Sequence, residues 1–220
     1  MAKPSYITCA PTSGSNNGTV KVTCTSGYKG RSQRSGNITI GSKSVGVTQF
    51  GAPLYVRITS TPTIVSKNGS EVLIEGYTNG KIITLAVENA PEFYITSLKY
   101  QTQNGTGSNS SKTITPNNDP GADGEIYFTA IIDVPENLTT SIISARIVAT
   151  VQGDTSAQTA SANLILTQES GDATLNVSPT NLYFTADGVP CDANGDEISG
   201  ATQTDGQVIN VVSNTAWEVS

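Results

Sequence analysis

The acidic side chains are the first place to look for chemistry, because the sequence contains no histidine. The usual general base of serine and cysteine hydrolases and the commonest zinc ligand are therefore both missing. Pairs of carboxylates can still hydrolyse glycosides, and Glu71 with Glu75 and Glu88 with Glu92 are two such pairs. Both pairs lie in stretches with the pattern of exposed strand or turn rather than a cleft. We therefore predict that the chain is not an enzyme and has no catalytic residue and no cofactor.

Calcium binding is the one metal alternative that the sequence offers. In the stretch CDANGDEISG, Asp192, Asn194 and Asp196 alternate oxygen ligands as a calcium loop does. Glu197 stands where such a loop has its turn glycine, and Gln203 stands where a bidentate glutamate closes the site. We expect a solvated acidic hairpin here and no metal site, with calcium in this loop as the alternative.

The three cysteines are Cys9, Cys24 and Cys191, and none belongs to a C-x-x-C motif. This odd count predicts neither a zinc site nor a closed disulfide framework. Cys9 and Cys24 both fall in phase with the apolar positions of their strands, which favours buried free thiols. A disulfide between these two remains the alternative.

Charge divides the chain into a basic end and an acidic remainder. Residues 1–70 contain eight basic residues and no acid, whereas residues 71–220 contain all 18 acids, four basic residues and none after Arg146. This asymmetry predicts that the basic end docks on an acidic protein surface. The candidate partner-binding residues are Lys3, Lys21, Lys29, Arg31, Arg34 and Lys43. The loop GYKGRSQRSG at 27–36 has no series of stacking aromatics, so we expect no nucleic acid.

These residues must be positioned by β strands, because Thr, Ser, Asn and Gly are abundant and apolar residues alternate in short runs. Three segments, beginning at Ile7, Ile58 and Leu175, share the pattern apolar-x-x-x-Pro-Thr followed by an alternating strand. In each, Pro-Thr is predicted to end a strand and start a turn. The alternating apolar pairs are Val20 and Val22, Val72 and Ile74, and Ile209 and Val211.

Two further stretches, KSVGVTQFG at 43–51 and ANLILTQES at 162–170, both finish an alternating strand with Thr-Gln and are predicted to be final strands. The sequence therefore predicts an all-β chain of three small modules. They are a short basic module at 1–52, a larger one at 53–170 and a third at 171–220. The first is too small to bury a large core, so we expect it to lean on the middle module, a second copy or another protein.

The third module resembles the opening half of the BACON family of immunoglobulin-like domains, which shows L-x-V-x-P and later V-x-V-x-S-N-x-x-W. The matching residues are Leu175, Val177, Pro179, Leu182, Phe184, Ile209, Val211, Ser213, Asn214 and Trp217. The family's later elements, R-x-G-x-I-T-V and V-T-Q-x-G, do not follow Ser220. Similar stretches occur in the first module instead, as RSGNITI at 34–40 and VGVTQFG at 45–51.

The resemblance implies a string of immunoglobulin-like β-sandwich modules, the last of them incomplete. Trp217 is expected to enter the core where a third strand would begin. The missing strands are expected from further chain or, as the alternative, from a partner by strand addition. Residues 171–220 are expected to be less stable than the rest, because half a sandwich leaves apolar faces uncovered.

BACON-like modules occur in gut bacterial surface proteins and in structural proteins of crAss-like phages, so the resemblance implies two functions. Because no export signal follows Met1 and no apolar run could span a bilayer, we expect a virion protein and no membrane partner. It would be a phage head fibre or capsid decoration, a homo-oligomer such as a trimer, anchored on a capsid protein by its basic module.

A carbohydrate-binding or adhesion module of a bacterial surface or secreted protein is the alternative, with a surface glycan as partner. Sugar platforms need exposed aromatics. Phe184 and Trp217 fall at core-phase positions, which leaves Tyr183 alone on the outer face of its strand. A cytoplasmic protein-interaction module is the third hypothesis.

Overall fold

The chain is almost entirely β structure in a computed structural model that describes residues 2–61 and 64–220. Within these ranges there are nineteen strands and one four-residue helix. The predicted all-β class is therefore confirmed. No helix in the described part of the chain has the length and apolar character needed to cross a membrane.

Residues 2–52, here called the first unit, contain two strand pairs. The strands are β1 (Ile7–Ala10), β2 (Lys21–Cys24), β3 (Arg34–Ile40) and β4 (Lys43–Gln49). β1 pairs with β2 and β3 pairs with β4, both antiparallel. The two pairs share a core whose buried residues are Ile7, Cys9 and Ile38. The first unit thus has very little buried apolar surface of its own.

The prediction of two buried thiols in the first unit is right for Cys9 and wrong for Cys24. Cys9 is buried and Cys24 is exposed, and both are free, as is the buried Cys191. All four residues of β2 are exposed. Cys24 lies outside the core because that small core does not extend over β2.

Residues 53–170 form the middle sandwich. Its elements are β5 (Val56–Ile58), β6 (Ile64–Val65), β7 (Ser70–Thr78), β8 (Ile82–Glu88), β9 (Tyr94–Tyr100), β10 (Gln103–Asn104), β11 (Thr106–Gly107), β12 (Ser111–Ile114), α1 (Pro120–Asp123), β13 (Ile126–Val134), β14 (Ile143–Gln152) and β15 (Thr159–Gln168). One sheet has the order β10-β9-β13-β7-β5 and the other β11-β12-β8-β14-β15-β6. All pairings are antiparallel except that of β6 with β15. Two facing sheets of this kind make an immunoglobulin-like β-sandwich.

Alternation of apolar and polar residues builds the core of the middle sandwich. Along β13, for example, Ile126, Phe128, Ala130, Ile132 and Val134 are buried, and the residues between them are more exposed. Alternate side chains of a strand point to opposite faces, so each strand gives one face to the interior. In total 21 described apolar residues form this core.

The first and third predicted openings form the same antiparallel ladder, and the second opening shares one equivalent pair with them. The first apolar residue of each opening pairs with a residue of the alternating strand that follows. That residue lies two positions after the second apolar residue of the strand. The pairs are Ile7 with Cys24, Ile58 with Gly76 and Leu175 with Ser213. The predicted sequence repeat is therefore a structural repeat in the first and third openings, whereas in the second the strand β5 ends at Ile58, the residue equivalent to the first residue of β1 and of β16. The Pro-Thr turn predicted for the second opening falls on Pro62 and Thr63, which lie outside the described residues.

The two stretches that finish with Thr-Gln are both strands that end at the glutamine, as predicted. β4 ends at Gln49 and β15 ends at Gln168. The Gln168 side chain is buried, and its amide donates a hydrogen bond of 2.7 Å to the carbonyl of Pro135. The Gln49 side chain accepts two hydrogen bonds from Arg34. Each glutamine therefore holds the last strand of its unit against the rest of that unit.

Residues 171–220, the C-terminal unit, contain four short strands. They are β16 (Leu175–Ser178), β17 (Tyr183–Phe184), β18 (Pro190–Cys191) and β19 (Asn210–Ser213). β16 pairs with β19 and β17 with β18. Trp217 is 51% exposed and Phe184 is 49% exposed, so neither is the core residue that the sequence predicted. Among the described residues, β16 and β19 form one two-stranded sheet and β17 and β18 another, and Trp217 lies outside both.

Candidate functional site

Arg31 is the centre of the contact between the first unit and the middle sandwich. Its side chain is only 6% exposed. The guanidinium donates to the Asn79 carbonyl, to Asp119 Oδ2 at 2.7 Å and to Asp154 Oδ1 at 2.8 Å. The hydrogen bond with Asp154 raises the pKa of Arg31 and lowers the pKa of Asp154. A buried guanidinium needs such partners, because an unpaired buried charge is strongly destabilising.

The backbone beside Arg31 joins the same contact. The amide of Arg31 donates to the Gly121 carbonyl at 2.9 Å, and the amide of Ser32 donates to the Ala122 carbonyl at 2.8 Å. These two acceptors belong to α1. At Gly30 a Cβ atom would lie 2.6 Å from the Ala122 carbonyl oxygen, so only glycine allows the basic loop and α1 to approach this closely.

Asn79 links the first unit to the middle sandwich at the bottom of this contact and is completely buried. Its side-chain amide donates to the carbonyls of Lys29 at 3.2 Å and Pro53 at 3.0 Å, and its oxygen accepts from the Tyr55 amide at 3.0 Å. These three hydrogen bonds therefore hold the backbone of Lys29 in the first unit and of Pro53 and Tyr55 at the start of the middle sandwich. Asn79 is therefore a structural bracket.

Glu125 forms a second charged cluster next to the first. Its carboxylate accepts hydrogen bonds from Lys29 at 2.6 Å, from the Tyr55 hydroxyl at 2.8 Å and from Arg57 at 3.0 Å. Burial opposes ionisation of Glu125, but these hydrogen bonds outweigh it and lower its pKa to about 2. Burial and the bond to Glu125 raise the pKa of Tyr55 to about 12. We call the set Lys29, Arg31, Asn79, Asp119, Glu125 and Asp154 the junction.

Arg34 serves the first unit itself. Its guanidinium lies between the rings of Tyr6 and Tyr28, 4.1 and 4.2 Å from their centroids, and donates to Gln49. Stacking on two aromatic faces suits the planar guanidinium. The Tyr28 hydroxyl in turn donates to the Ala122 carbonyl at 3.3 Å. Arg34 thus supports the loop that carries Arg31.

The six predicted partner-binding residues separate into three that contact other side chains of this chain and three exposed lysines. Lys29 and Arg31 bind the middle sandwich, and Arg34 stacks within the first unit. Lys3, Lys21 and Lys43 are exposed, and the ammonium of Lys3 donates to the Ile7 carbonyl. The sequence did not identify Asn79, Asp119 or Asp154 as partners of the basic loop.

A groove with a volume of about 540 Å³ lies at the open end of the first unit, between the loop after β1 and the tip of the β3–β4 hairpin. We call it the N-terminal groove. Its lining residues are Ala2, Pro11, Thr12, Ser13, Gly14, Ser15, Asn16, Gly18, Thr19, Val20, Thr39, Ile40 and Gly41. Most of these residues are small and polar, and Val20 and Ile40 are the larger apolar side chains among them.

The acidic loop considered for calcium is closed by its own hydrogen bonds. Asp192 Oδ1 accepts from the backbone amides of Asn194 at 2.9 Å and Asp196 at 3.0 Å. These bonds lower the pKa of Asp192. Within residues 2–61 and 64–220, no group of three or more His, Cys, Asp and Glu side chains is placed to hold a metal ion.

The C-terminal unit contacts the middle sandwich through few residues. Asn214 donates to the Leu138 carbonyl at 2.8 Å, and the amide of Gly171 donates to the Thr139 carbonyl at 2.7 Å. Lys67 forms an ion pair with Asp172, whose side chain is 77% exposed. Exposed ion pairs of this kind contribute little to stability.

Comparisons with known proteins add only distant similarities. No protein-family model matches the chain, and no curated protein is similar to it in sequence. Solved structures with some likeness include BcpA, the major pilin subunit of Bacillus cereus, at 10% identity and a TM-score of 0.38, with 97% of this chain and 68% of that chain covered. AggA, the major subunit of aggregative adherence fimbriae type I from Escherichia coli, has 12% identity, a TM-score of 0.31 and coverage of 54% and 95%. AvmM, which catalyses macrocyclization in alchivemycin A biosynthesis, has 10% identity, a TM-score of 0.36 and coverage of 55% and 91%.

Proposed function

We propose that this chain is a structural subunit of a virion, a head fibre or capsid decoration of a tailed phage, attached through its first unit. The observation that carries the proposal is the junction. There, two ion-pair clusters, a buried asparagine and two backbone hydrogen bonds fix a small end unit to a large sandwich. A subunit that must hold a defined orientation on a particle needs such a fixed connection between its attachment end and its body.

The BACON-like residues of the C-terminal unit support the same proposal. That resemblance includes proteins of phage particles, and the ladder of the C-terminal unit recurs in the first unit. A chain of similar β modules suits a fibre or decoration, because each module adds length without needing a new fold.

The attachment surface in this proposal differs from the one expected from the sequence. Lys29, Arg31 and Arg34 already have partners inside the chain. The exposed lysines Lys3, Lys21 and Lys43 are therefore the cations that the first unit offers to an acidic protein surface. Such charges mainly accelerate encounter and make binding sensitive to salt.

Fractionation of the source culture tests this function. We expect peptides of the chain in mass spectra of particles purified by density gradient, in constant ratio to the major capsid protein. Recovery of the chain in the cell-envelope fraction and its absence from particles would contradict the proposal. An antibody to the chain should label particles in electron micrographs, and a non-immune antibody is the control.

Glycan binding is a second candidate, which one observation favours. Tyr183, Phe184 and Trp217 are each 42–51% exposed, whereas the sequence predicted only Tyr183 on the outside. Exposed aromatic rings are what a sugar-binding surface requires. Binding of the purified chain to a glycan array, lost on Trp217→Ala and retained on Tyr94→Ala in the middle sandwich, would favour this candidate. No binding to any glycan would exclude it for the glycans tested.

A further inference from the structure

β15 lies at an edge of its sheet and is only partly covered there by β6. The strand has ten residues, and β6 pairs only with Thr167 and Gln168. The corresponding edge of the other sheet continues to be covered after β5, because the Thr59 amide donates to the Glu75 carbonyl at 2.9 Å. Within the described part of the chain, no neighbouring backbone covers residues 159–163 of β15 in this way. We call these five residues the open edge.

The free backbone groups of the open edge belong to alternate residues. The Gly153 amide donates to the Gln158 carbonyl at 2.8 Å, so Gln158 faces β14. Successive residues of an antiparallel strand direct their amides and carbonyls to opposite sides, so every second residue after Gln158 also faces β14. The amides and carbonyls of Thr159, Ser161 and Asn163 therefore point away from β14. None of these groups has a hydrogen bond to any other described residue.

The side chains of the open edge, TASAN, have no charge and little bulk. Its three polar residues are exposed, and its two alanines are partly buried. Proteins usually protect an open edge with charges, a proline or a bulge, and this stretch has none of them. A groove with a volume of about 420 Å³ lies between its first residue and residues 52–54. Another strand therefore has room to approach.

A second copy of the open edge matches these properties. In an antiparallel arrangement, Ser161 lies opposite the Ser161 of the copy, and Thr159 lies opposite its Asn163. Each outward amide then meets an outward carbonyl. No like charges face each other across this ladder, although each chain has a net charge of −6. Both edges are already folded strands, so their pairing orders less chain than the binding of a flexible peptide would.

We infer that the open edge pairs with the open edge of a second copy of this chain. The pairing joins two sheets into one across a twofold axis at Ser161. The contact is isologous and uses both edges, so it stops at a dimer. The ladder ends beside Gln158, where the chain turns back towards β14, so it does not reach β6 at Thr167 and Gln168. This inference goes beyond the proposed virion function and does not depend on it, since particle fractionation tests that function separately.

Sedimentation velocity of the purified full-length chain tests whether the dimer forms. Between about 1 μM and about 1 mM we expect a change from monomer to dimer and no larger species. Raising NaCl from about 50 to about 500 mM should not dissociate the dimer, because the paired edges have no charges to be screened. A monomer at every concentration would overturn the inference, and so would larger species or a dimer that dissociates in salt.

Amide exchange followed by NMR locates the contact in the unchanged chain. We expect the amides of Thr159, Ser161 and Asn163 to exchange at least about tenfold more slowly at about 1 mM than at about 50 μM. The amides of Ala160 and Ala162 should exchange slowly at both concentrations, because they already bond to β14. A dimer without added protection of the three outward amides would have its contact elsewhere, which would overturn the inference.

Two substitutions of Ser161 should prevent the pairing and leave the ladder with β14 intact. Ser161→Lys places two like charges at the twofold axis, and Ser161→Pro removes an outward amide. Each should weaken dimer formation at least about tenfold and keep the far-UV spectrum of the unchanged chain, because Ser161 is exposed and its backbone groups face away from β14.

The matched control is Ser144→Lys, which adds the same charge at an exposed residue of β14. It should form the dimer like the unchanged chain. Dimer formation that is unaffected by Ser161→Lys, or weakened equally by Ser144→Lys, would contradict the pairing. If a Ser161 variant does not fold, the exchange measurement on the unchanged chain still decides between the two outcomes.

Discussion

The two ends of the chain carry the same β ladder, yet they are attached to the middle sandwich in different ways. At the first unit, Arg31 is buried among two carboxylates and a carbonyl, and Asn79 holds backbone on both sides. At the C-terminal unit, Asn214 and the exposed pair of Lys67 and Asp172 make the contact. The first unit is therefore fixed to the middle sandwich by a buried polar contact. The C-terminal unit is joined to the same sandwich by a few, mostly exposed, contacts.

Removal of Arg31 should be the largest single disruption of this difference. Arg31→Ala leaves Asp119 and the Asn79 carbonyl without their partner, and we expect a loss of about 3 kcal/mol in the free energy of unfolding of the first unit. Chemical denaturation, together with limited proteolysis of the connection at 50–54, measures it. The control is Arg146→Ala, which removes an exposed pair with Glu88 and should cost less than about 1 kcal/mol. Equal losses of unfolding free energy in the two variants would mean that the junction stabilises the chain no more than an exposed ion pair does.

The two linking asparagines allow a matched comparison of the two ends. Asn79→Ala should destabilise the chain by about 2 kcal/mol, because two carbonyls and one amide are left buried without partners. Asn214→Ala removes bonds at a partly exposed site and should cost less than about 1 kcal/mol. Thermal unfolding of both variants decides the order, and a larger effect at Asn214 would reverse the comparison.

Acid should loosen the junction before it unfolds the middle sandwich. The pKa of Glu125 is lowered from 4.5 to about 2 in the folded chain, so its stabilising effect is complete above pH 4.5. It is lost as the pH falls from about 4.5 towards 2, and we expect a loss of roughly 1 to 3 kcal/mol. Asp154, whose pKa is also lowered, changes stability in the same direction. Pepsin cleavage of the 50–54 connection should rise over this interval in the unchanged chain and be less pH-dependent in Glu125→Gln.

Local patterns were sufficient to predict the alternating strand of each opening and the two strands that end with Thr-Gln. Alternation around Val22, Ile74 and Val211 placed the second strand of each opening. The Thr-Gln ends at Gln49 and Gln168 were found in the same way. These features depend on residues close together in the chain, so the sequence contains them directly.

The junction could not be predicted, because it joins segments that are far apart. Arg31 and Asp119 are separated by 88 positions, and no periodicity connects them. The signal that was present is Gly30 inside the basic loop, which the close approach of this loop to α1 requires. Trp217 was assigned to a core from the resemblance to BACON domains, and it is 51% exposed.

Hydrogen exchange of the unchanged chain tests the difference between the two ends most directly. We expect the amides of Arg31 and Ser32, which bond to α1, to exchange nearly as slowly as those of β7 and β13. The amides of Leu175–Ser178 and Asn210–Ser213 should exchange much faster at low concentration, because their ladder has little covering it. Slow exchange in the C-terminal ladder combined with fast exchange at Arg31 and Ser32 would contradict the account.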